Sequence, residues 1–227
     1  MARVYGVAGE WARVRGTVFG LWPLFAGLFL MGLSVGLMVS AVSNIILIGA
    51  VAFAISSIWC VATLIKGLRH VERYFKGARG EEHVAGILKE LPDDYHVFND
   101  FVARKKHIDH VIAGPAGVFA IETKFWHGRV TLEEGHILVD GHLPSRQPIP
   151  QVLKEAEAVK RHLSDLGWSG LVTPVLVFAS DTFEAKVAEA KGVVIINSDY
   201  IKTAFSSGRT VLQPVELDRL VRLMENV

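Results

Sequence analysis

From Gly16 to Ile65 the chain runs for 50 residues without one Asp, Glu, Lys, Arg or His. Cores of soluble proteins rarely run so long without a charge, whereas a helix rising ~1.5 Å per residue crosses ~30 Å of hydrocarbon in ~20 residues. The block therefore reads as two spans, Thr17 to Ser40 and Ile45 to Ile65, separated by Ala41-Val42-Ser43-Asn44, whose small and polar residues permit a tight reversal. Pro23 is expected near the start of the first span, where its missing N–H costs least. Trp22 and Trp59 lie close to the charged flanks, as interfacial aromatics do. A cleaved signal peptide is disfavoured, because its apolar stretch is shorter and would not be followed by a second span.

The flanks set the expected orientation. Arg3, Arg13 and Arg15 precede the first span, and Lys66, Arg69, Arg73, Lys76 and Arg79 follow the second. Positive residues stay inside, so both termini are expected in the cytoplasm of an integral inner or plasma membrane protein. The basic stretch from Lys66 to Arg79 has two readings, contact with anionic headgroups or a solvated stop-transfer flank. The expected organisation is an N-terminal segment over 1–16, a hairpin over 17–65, a basic juxtamembrane linker over 66–76 and a globular domain over 77–227.

Outside the apolar block the chain has the mixed charge of an ordinary globular sequence. The whole chain is 51% hydrophobic with a mean hydropathy of +0.35, which excludes a disordered, collagen-like or coiled-coil protein. Its single cysteine, Cys60, excludes an intramolecular disulfide framework and a cysteine-rich zinc site. Residues 81–227 hold 16 Lys and Arg against 21 Asp and Glu, a net charge of −5. That is not the footprint of a strong nucleic-acid binder, so any such contact relies on local clusters such as Arg104-Lys105-Lys106.

After Gly80 the pattern becomes mixed α and β. Val84, Ile87, Leu88 and Leu91 recur at helical spacing until Pro92-Asp93-Asp94 stops the helix. Strands are predicted over 95–101, 107–113, 118–125, 130–133 and 136–139, with turns at Gly114-Pro115-Ala116-Gly117 and Glu134-Gly135. An amphipathic helix follows from near Pro150, then strands over 172–179 and 193–196, and a last helix from about Pro214. This order implies an α/β sandwich around one central sheet.

The segment Gly117-Val118-Phe119-Ala120-Ile121-Glu122-Thr123-Lys124 is the most informative for chemistry. In a strand Glu122 and Lys124 share one face, while Phe119, Ile121 and Phe125 take the other. If a hairpin forms through Gly114 to Gly117, Asp109 approaches Glu122 across the pair. Two neighbouring carboxylates repel, a cost that a divalent cation relieves, and Lys124 can then hold or deprotonate a water at the metal. On the helix after Gly80, Glu81 lies about 70° from the centre of the apolar stripe and Glu82 about 170°, so Glu81 borders the core. The competing reading makes Glu122–Lys124 an exposed ion pair and Asp109 a turn acid.

Taken in order, Gly77-Ala78-Arg79-Gly80-Glu81, Ile108-Asp109-His110, Gly117 to Lys124, Trp126-x-Gly128 and Pro148-x-x-Gln151 resemble the motifs of the nuclease-related domain, NERD. The resemblance covers residues 77–165. It departs at Ile108, where the superfamily name has proline, and at Gln147, where the family usually has asparagine; neither change removes a ligand. The family is assigned to the PD-(D/E)XK nuclease superfamily. The resemblance implies a restriction-endonuclease-like mixed sheet flanked by helices and a phosphodiesterase dependent on Mg²⁺ or Mn²⁺. It further implies Asp109 and Glu122 as metal ligands, Glu81 reaching the metal through water, Lys124 supporting the attacking water and Gln151 assisting from the second helix. The substrate it implies is nucleic acid, DNA ahead of RNA.

Other chemistries are poorly supported. His107 and His110 are three apart in a strand and face opposite sides, which works against a shared zinc. Trp126 and His127 read either as a base-stacking pair or as packing. No Walker loop, dinucleotide glycine fingerprint or G-x-S-x-G elbow is present. The alternative of a different class is a non-catalytic, membrane-anchored binding or scaffolding protein on a nuclease fold.

Overall fold

The computed structural model describes residues 1–39, 43–180, 182–206 and 210–225, and the chain divides into two units, residues 11–76 and residues 1–10 with 77–227. The apolar unit consists of α1 (Glu10–Met38) and most of α2 (Ser43–Leu88). Both helices are long and apolar enough to cross a membrane. Their outward side chains, among them Phe19, Trp22, Phe29, Ile55 and Ile58, are more than half exposed. The helices run antiparallel and meet through small residues. A Cβ on Gly67 would lie 2.3 Å from the Gly20 carbonyl oxygen, so only glycine permits that crossing. Part of the expected reversal, Ala41 and Val42, lies outside the described residues. Pro23 differs from expectation. Because α1 begins at Glu10, the proline sits in the helix interior, and its own carbonyl accepts the Trp59 indole N–H at 3.2 Å. Residues 66–76, read from sequence as a linker, are helical.

The second unit is built on a seven-stranded mixed sheet in the order β1-β2-β3-β4-β7-β9-β8. Its strands are β1 (Arg3–Tyr5), β2 (His96–Ala103), β3 (Lys106–Gly114), β4 (Gly117–Lys124), β7 (Val172–Phe178), β8 (Val187–Ala190) and β9 (Val193–Asn197). A two-stranded ribbon, β5 (Val130–Glu133) with β6 (His136–Val139), is inserted after β4. β2, β3 and β4 form an antiparallel meander, and β4, β7 and β9 run parallel. Helix α3 (Pro148–Asp165) makes the crossover from β4 to β7; it starts with proline at its first turn and ends before Gly167 at φ +88°. Helices α4 (Ile201–Ser206) and α5 (Pro214–Glu225) complete the unit.

Both faces of the sheet are covered. Ile112, Ile121 and Val175 pack with Val84 and Leu88 of α2 and with Ile201 and Phe205 of α4. Val111, Val118 and Ala120 pack with Val159 and Leu163 of α3 and Leu220 and Val221 of α5. This is the helix-flanked mixed sheet that the resemblance implies. Two strands lie outside the sequence reading, β8 and β1. β1 pairs in parallel with β2, Arg3 opposite His96, so the residues before the first apolar helix belong to this sheet.

Gly80 lets α2 lie close to the end of β4, since a Cβ there would stand 2.7 Å from the Phe125 Cβ. In an open helix position Gly→Ala gains about 1 kcal/mol. At Gly80 that gain is reversed, and Gly80→Ala should lower stability by about 1–3 kcal/mol through overpacking. Gly86 of the same helix has nothing within 4 Å of its Cβ site, so Gly86→Ala should stabilise. Thermal melts of the full chain in detergent check both signs.

Candidate active site

The hairpin of β3 and β4 closes at Gly114 opposite Gly117, and the register carried down from His110 opposite Ile121 sets Asp109 across from Glu122. Asp109 Oδ2 accepts the Thr123 backbone N–H at 2.7 Å. Glu122 is buried, its side chain 6% exposed, and the period of two in β4 turns it with Lys124 towards α3. Lys124 Nζ donates to Glu122 Oε1 and, at 3.2 Å, to Gln151 Oε1. Gln151 Nε2 in turn donates to Glu122 Oε1 at 2.7 Å and to Glu155 Oε1 at 2.8 Å. The pair is therefore buried within a network, which overturns the reading of an exposed surface ion pair with Asp109 as a turn acid.

Glu81 enters from α2, one residue beyond Gly80, and its carboxylate accepts the Gly9 backbone N–H. The structure thus brings Glu81, Asp109, Glu122, Lys124 and Gln151 into one neighbourhood. His107 and His110 do not join it as a histidine site. His107 Nδ1 contacts Asp100 Oδ1 at 3.0 Å, and His110 Nδ1 contacts Asn99 Oδ1 at 2.8 Å. Trp126 packs on Phe178, ring centroids 5.6 Å apart, which supports the packing reading.

Residues 76–179 match the family model of the nuclease-related domain. This stretch is a NERD domain. No curated protein and no solved structure matches the chain.

The electrostatics of the NERD site follow from burial and like charge. Burial, reinforced by Glu122 and Asp100, raises the Glu81 carboxyl to about 7. Burial with Glu122 and Glu81 beside it raises Asp109 well above the ordinary carboxylate range. Burial favours neutral Lys124, but the charge and hydrogen bond of Glu122 outweigh it and raise the ammonium. Four carboxylates therefore share one lysine, and they cannot all ionise together without more positive charge.

Glu155, on α3 one turn after Gln151, was not singled out from sequence. It is 8% exposed, Oε2 is buried without a partner, and burial plus the charge of Glu122 raise its carboxyl to about 8. The readable signal was a glutamate flanked by the core positions Val152, Ala156 and Val159 of an amphipathic helix.

The donor chemistry fits a hard divalent cation, being oxygen only and crowded with like charge. Among the described residues no three carboxylate, histidine or cysteine side chains are already placed to hold a metal ion. Glu122 Oε1 is engaged instead by Lys124 and Gln151, so the lysine supplies the neutralising charge.

Raised carboxyls make stability pH-dependent in a defined sense. Glu81 and Glu155 bind protons more tightly folded than unfolded, so their contribution to metal-free stability is full below about pH 4.5 and is lost as pH rises through about 7 and 8. His110, held neutral by burial with its value lowered to about 3, acts oppositely but only below about pH 6.5. Between pH 7 and 9 the melting temperature in EDTA should therefore fall for the parent and fall less for Glu155→Gln. Equal slopes would show that Glu155 is not the titrating group.

Proposed function

We propose that the chain is a membrane-anchored nuclease that hydrolyses phosphodiester bonds of nucleic acid, DNA ahead of RNA, with Mg²⁺ or Mn²⁺. The observation that carries this reading is the buried Glu122–Lys124–Gln151 network lying across the hairpin from Asp109. Asp109 and Glu122 would hold the cation, with Glu81 joining through water. The cation, when bound, would supply Lewis-acid polarisation and charge neutralisation at the scissile phosphate. Lys124 orients the attacking water and stabilises charge at the phosphoryl oxygens, while Gln151 fixes the lysine ammonium by its amide oxygen.

The two apolar helices are read as a hairpin that crosses the membrane twice, with both termini and the nuclease domain in the cytoplasm. The basic flanks support this orientation. The pairing of β1 with β2 supports the even number of crossings, because the chain before α1 and the chain after α2 share one sheet. In the second reading, a binding or scaffolding protein without catalysis, the same Lys124–Glu122 contact serves as a buried structural ion pair.

A cleavage panel on single- and double-stranded DNA and RNA, beside calorimetry with Mg²⁺ and Mn²⁺, separates the two readings. The full chain in detergent is the right sample, since a fragment beginning after the hairpin lacks β1 and Gly9. Metal binding without cleavage of any substrate would favour the scaffold. Lys124→Ala should keep or slightly improve metal affinity while cleavage falls by ~10²-fold or more. Asp109→Asn should lose both, because a neutral amide is a poor ligand for a hard cation. A Lys124→Ala enzyme that cleaves like the parent would refute the role given to the lysine. A reporter that works only in the cytoplasm should give signal from either terminus; signal from one end alone contradicts the double crossing.

A further inference from the structure

Arg104-Lys105-Lys106 is a basic cluster in a domain region of net charge −5, and the chemistry at the carboxylates does not use it. Arg104 and Lys105 are the two central residues of the β2–β3 hairpin turn, between the paired residues Ala103 and Lys106. Both have left-handed φ, +46° and +68°. Two-residue turns with both centres left-handed favour Asn-Gly, because a Cβ crowds the backbone there. The comparable turn between β5 and β6 uses Glu134-Gly135, with glycine second. An Arg-Lys pair is therefore a strained choice for which hairpin formation gives no reason.

Beside that turn lies an open groove of about 490 Å³, bounded by β3 and the exposed side of α3. Arg104, Lys106, Lys154 and Arg161 line it, with Glu157 as its one acidic residue. The groove and the carboxylate site draw on the same two elements, α3 and β3. On α3, Lys154 lies ~60° and Arg161 ~80° around the helix from Gln151, and ~5 and ~15 Å further along its axis. On β3, Lys106 stands ~10 Å before Asp109. Arg104 grips Asp165 with Nε and Nη2 at 2.6–2.9 Å, and Arg161 contacts Glu157 at 2.7 Å, all four side chains being about half exposed. The single-contact Arg161–Glu157 pair contributes little and exchanges readily. A guanidinium fork that holds a carboxylate can hold a phosphate in the same geometry.

We infer that this groove is the track along which the phosphate backbone of a nucleic-acid strand runs into the carboxylate site. The inference rests on the nuclease reading and adds the path of the substrate. It explains how a domain of negative net charge holds a polyanion: the attraction is confined to a strip, and the strained turn delivers the Arg104 guanidinium to it.

The test exchanges the turn for its favoured residues, Arg104→Asn with Lys105→Gly, in the full chain in a neutral detergent. EDTA blocks cleavage, and fluorescein-labelled 20-nucleotide DNA, single- and double-stranded, is the probe. The variant should melt at or above the parent's temperature, yet bind at least about tenfold more weakly in 50 mM salt. Its slope of log affinity on log salt should be shallower by at least roughly 0.7–0.9, the one contact expected of Arg104. If the double variant melts lower, Lys106→Gln with Lys154→Gln, which leaves the turn intact, carries the same expectation. Parent-like affinity and slope, from a protein whose parent cleaves, overturns the track and leaves the nuclease reading standing. A parent that neither binds nor cleaves any nucleic acid overturns both. Loss of binding to vesicles containing phosphatidylglycerol with DNA affinity unchanged assigns the groove to headgroups and also overturns the track.

Discussion

A carboxylate buried between a sheet and a helix is the constraint on which the rest of the NERD site depends. Left unpaired, an ionised Glu122 at that depth would cost several kcal/mol. It is held because three elements arrive in register: β4 presents Lys124 on the same face, α3 brings Gln151 over it, and β3 places Asp109 across the hairpin. Each of these has its own local cause. Proline starts α3 three residues before Gln151, and the Gly114–Gly117 pair closes the hairpin that fixes Asp109. Gly80 removes the side chain that would keep α2 and Glu81 away from the end of β4.

The second constraint is topological. β1 and β2 are neighbours in one sheet, although some ninety residues, including both apolar helices, separate them in the chain. A strand of three residues contributes little by itself, yet Ala2 joins the core, the Ala2 and Arg3 N–H groups bond Lys89 and Tyr95, and Gly9 reaches Glu81. The apolar hairpin is thus an insertion into the domain rather than an appendage to its front. Any membrane arrangement must return the chain to the side it left.

What the residue order reveals depends on the range of the interaction. β2 to β6 were legible because alternation and turn residues act within ten residues, and the Gly114–Gly117 hairpin led directly to the Asp109–Glu122 apposition. β1 was not, because Arg3-Val4-Tyr5 has neither length nor a flanking turn, and its partner lies far along the chain. β8, Val187-Ala188-Glu189-Ala190, carries two alanines and a glutamate and becomes a strand only against β9. The helix over 66–76 was missed because Gly67, Gly77 and Gly80 look like breaks, whereas Gly67 and Gly80 serve close packing. Glu155 was missed for a related reason: it reads as a polar residue on an apolar helix face until Gln151 and Glu122 are seen beside it.

Lys124 ties the two charge states of the site together. In the folded chain its ammonium is the cation that makes a buried Glu122 tolerable. Under the nuclease reading a divalent ion held by Asp109 and Glu122 would share the Glu122 carboxylate with that ammonium, and would supply the neutralising charge that Lys124 supplies in its place. A lysine without a carboxylate partner, held by the Gln151 amide oxygen in a crowded acidic pocket, is the group best placed to act on an incoming phosphate. The contact that neutralises the buried Glu122 is therefore the one that the proposed chemistry would have to undo.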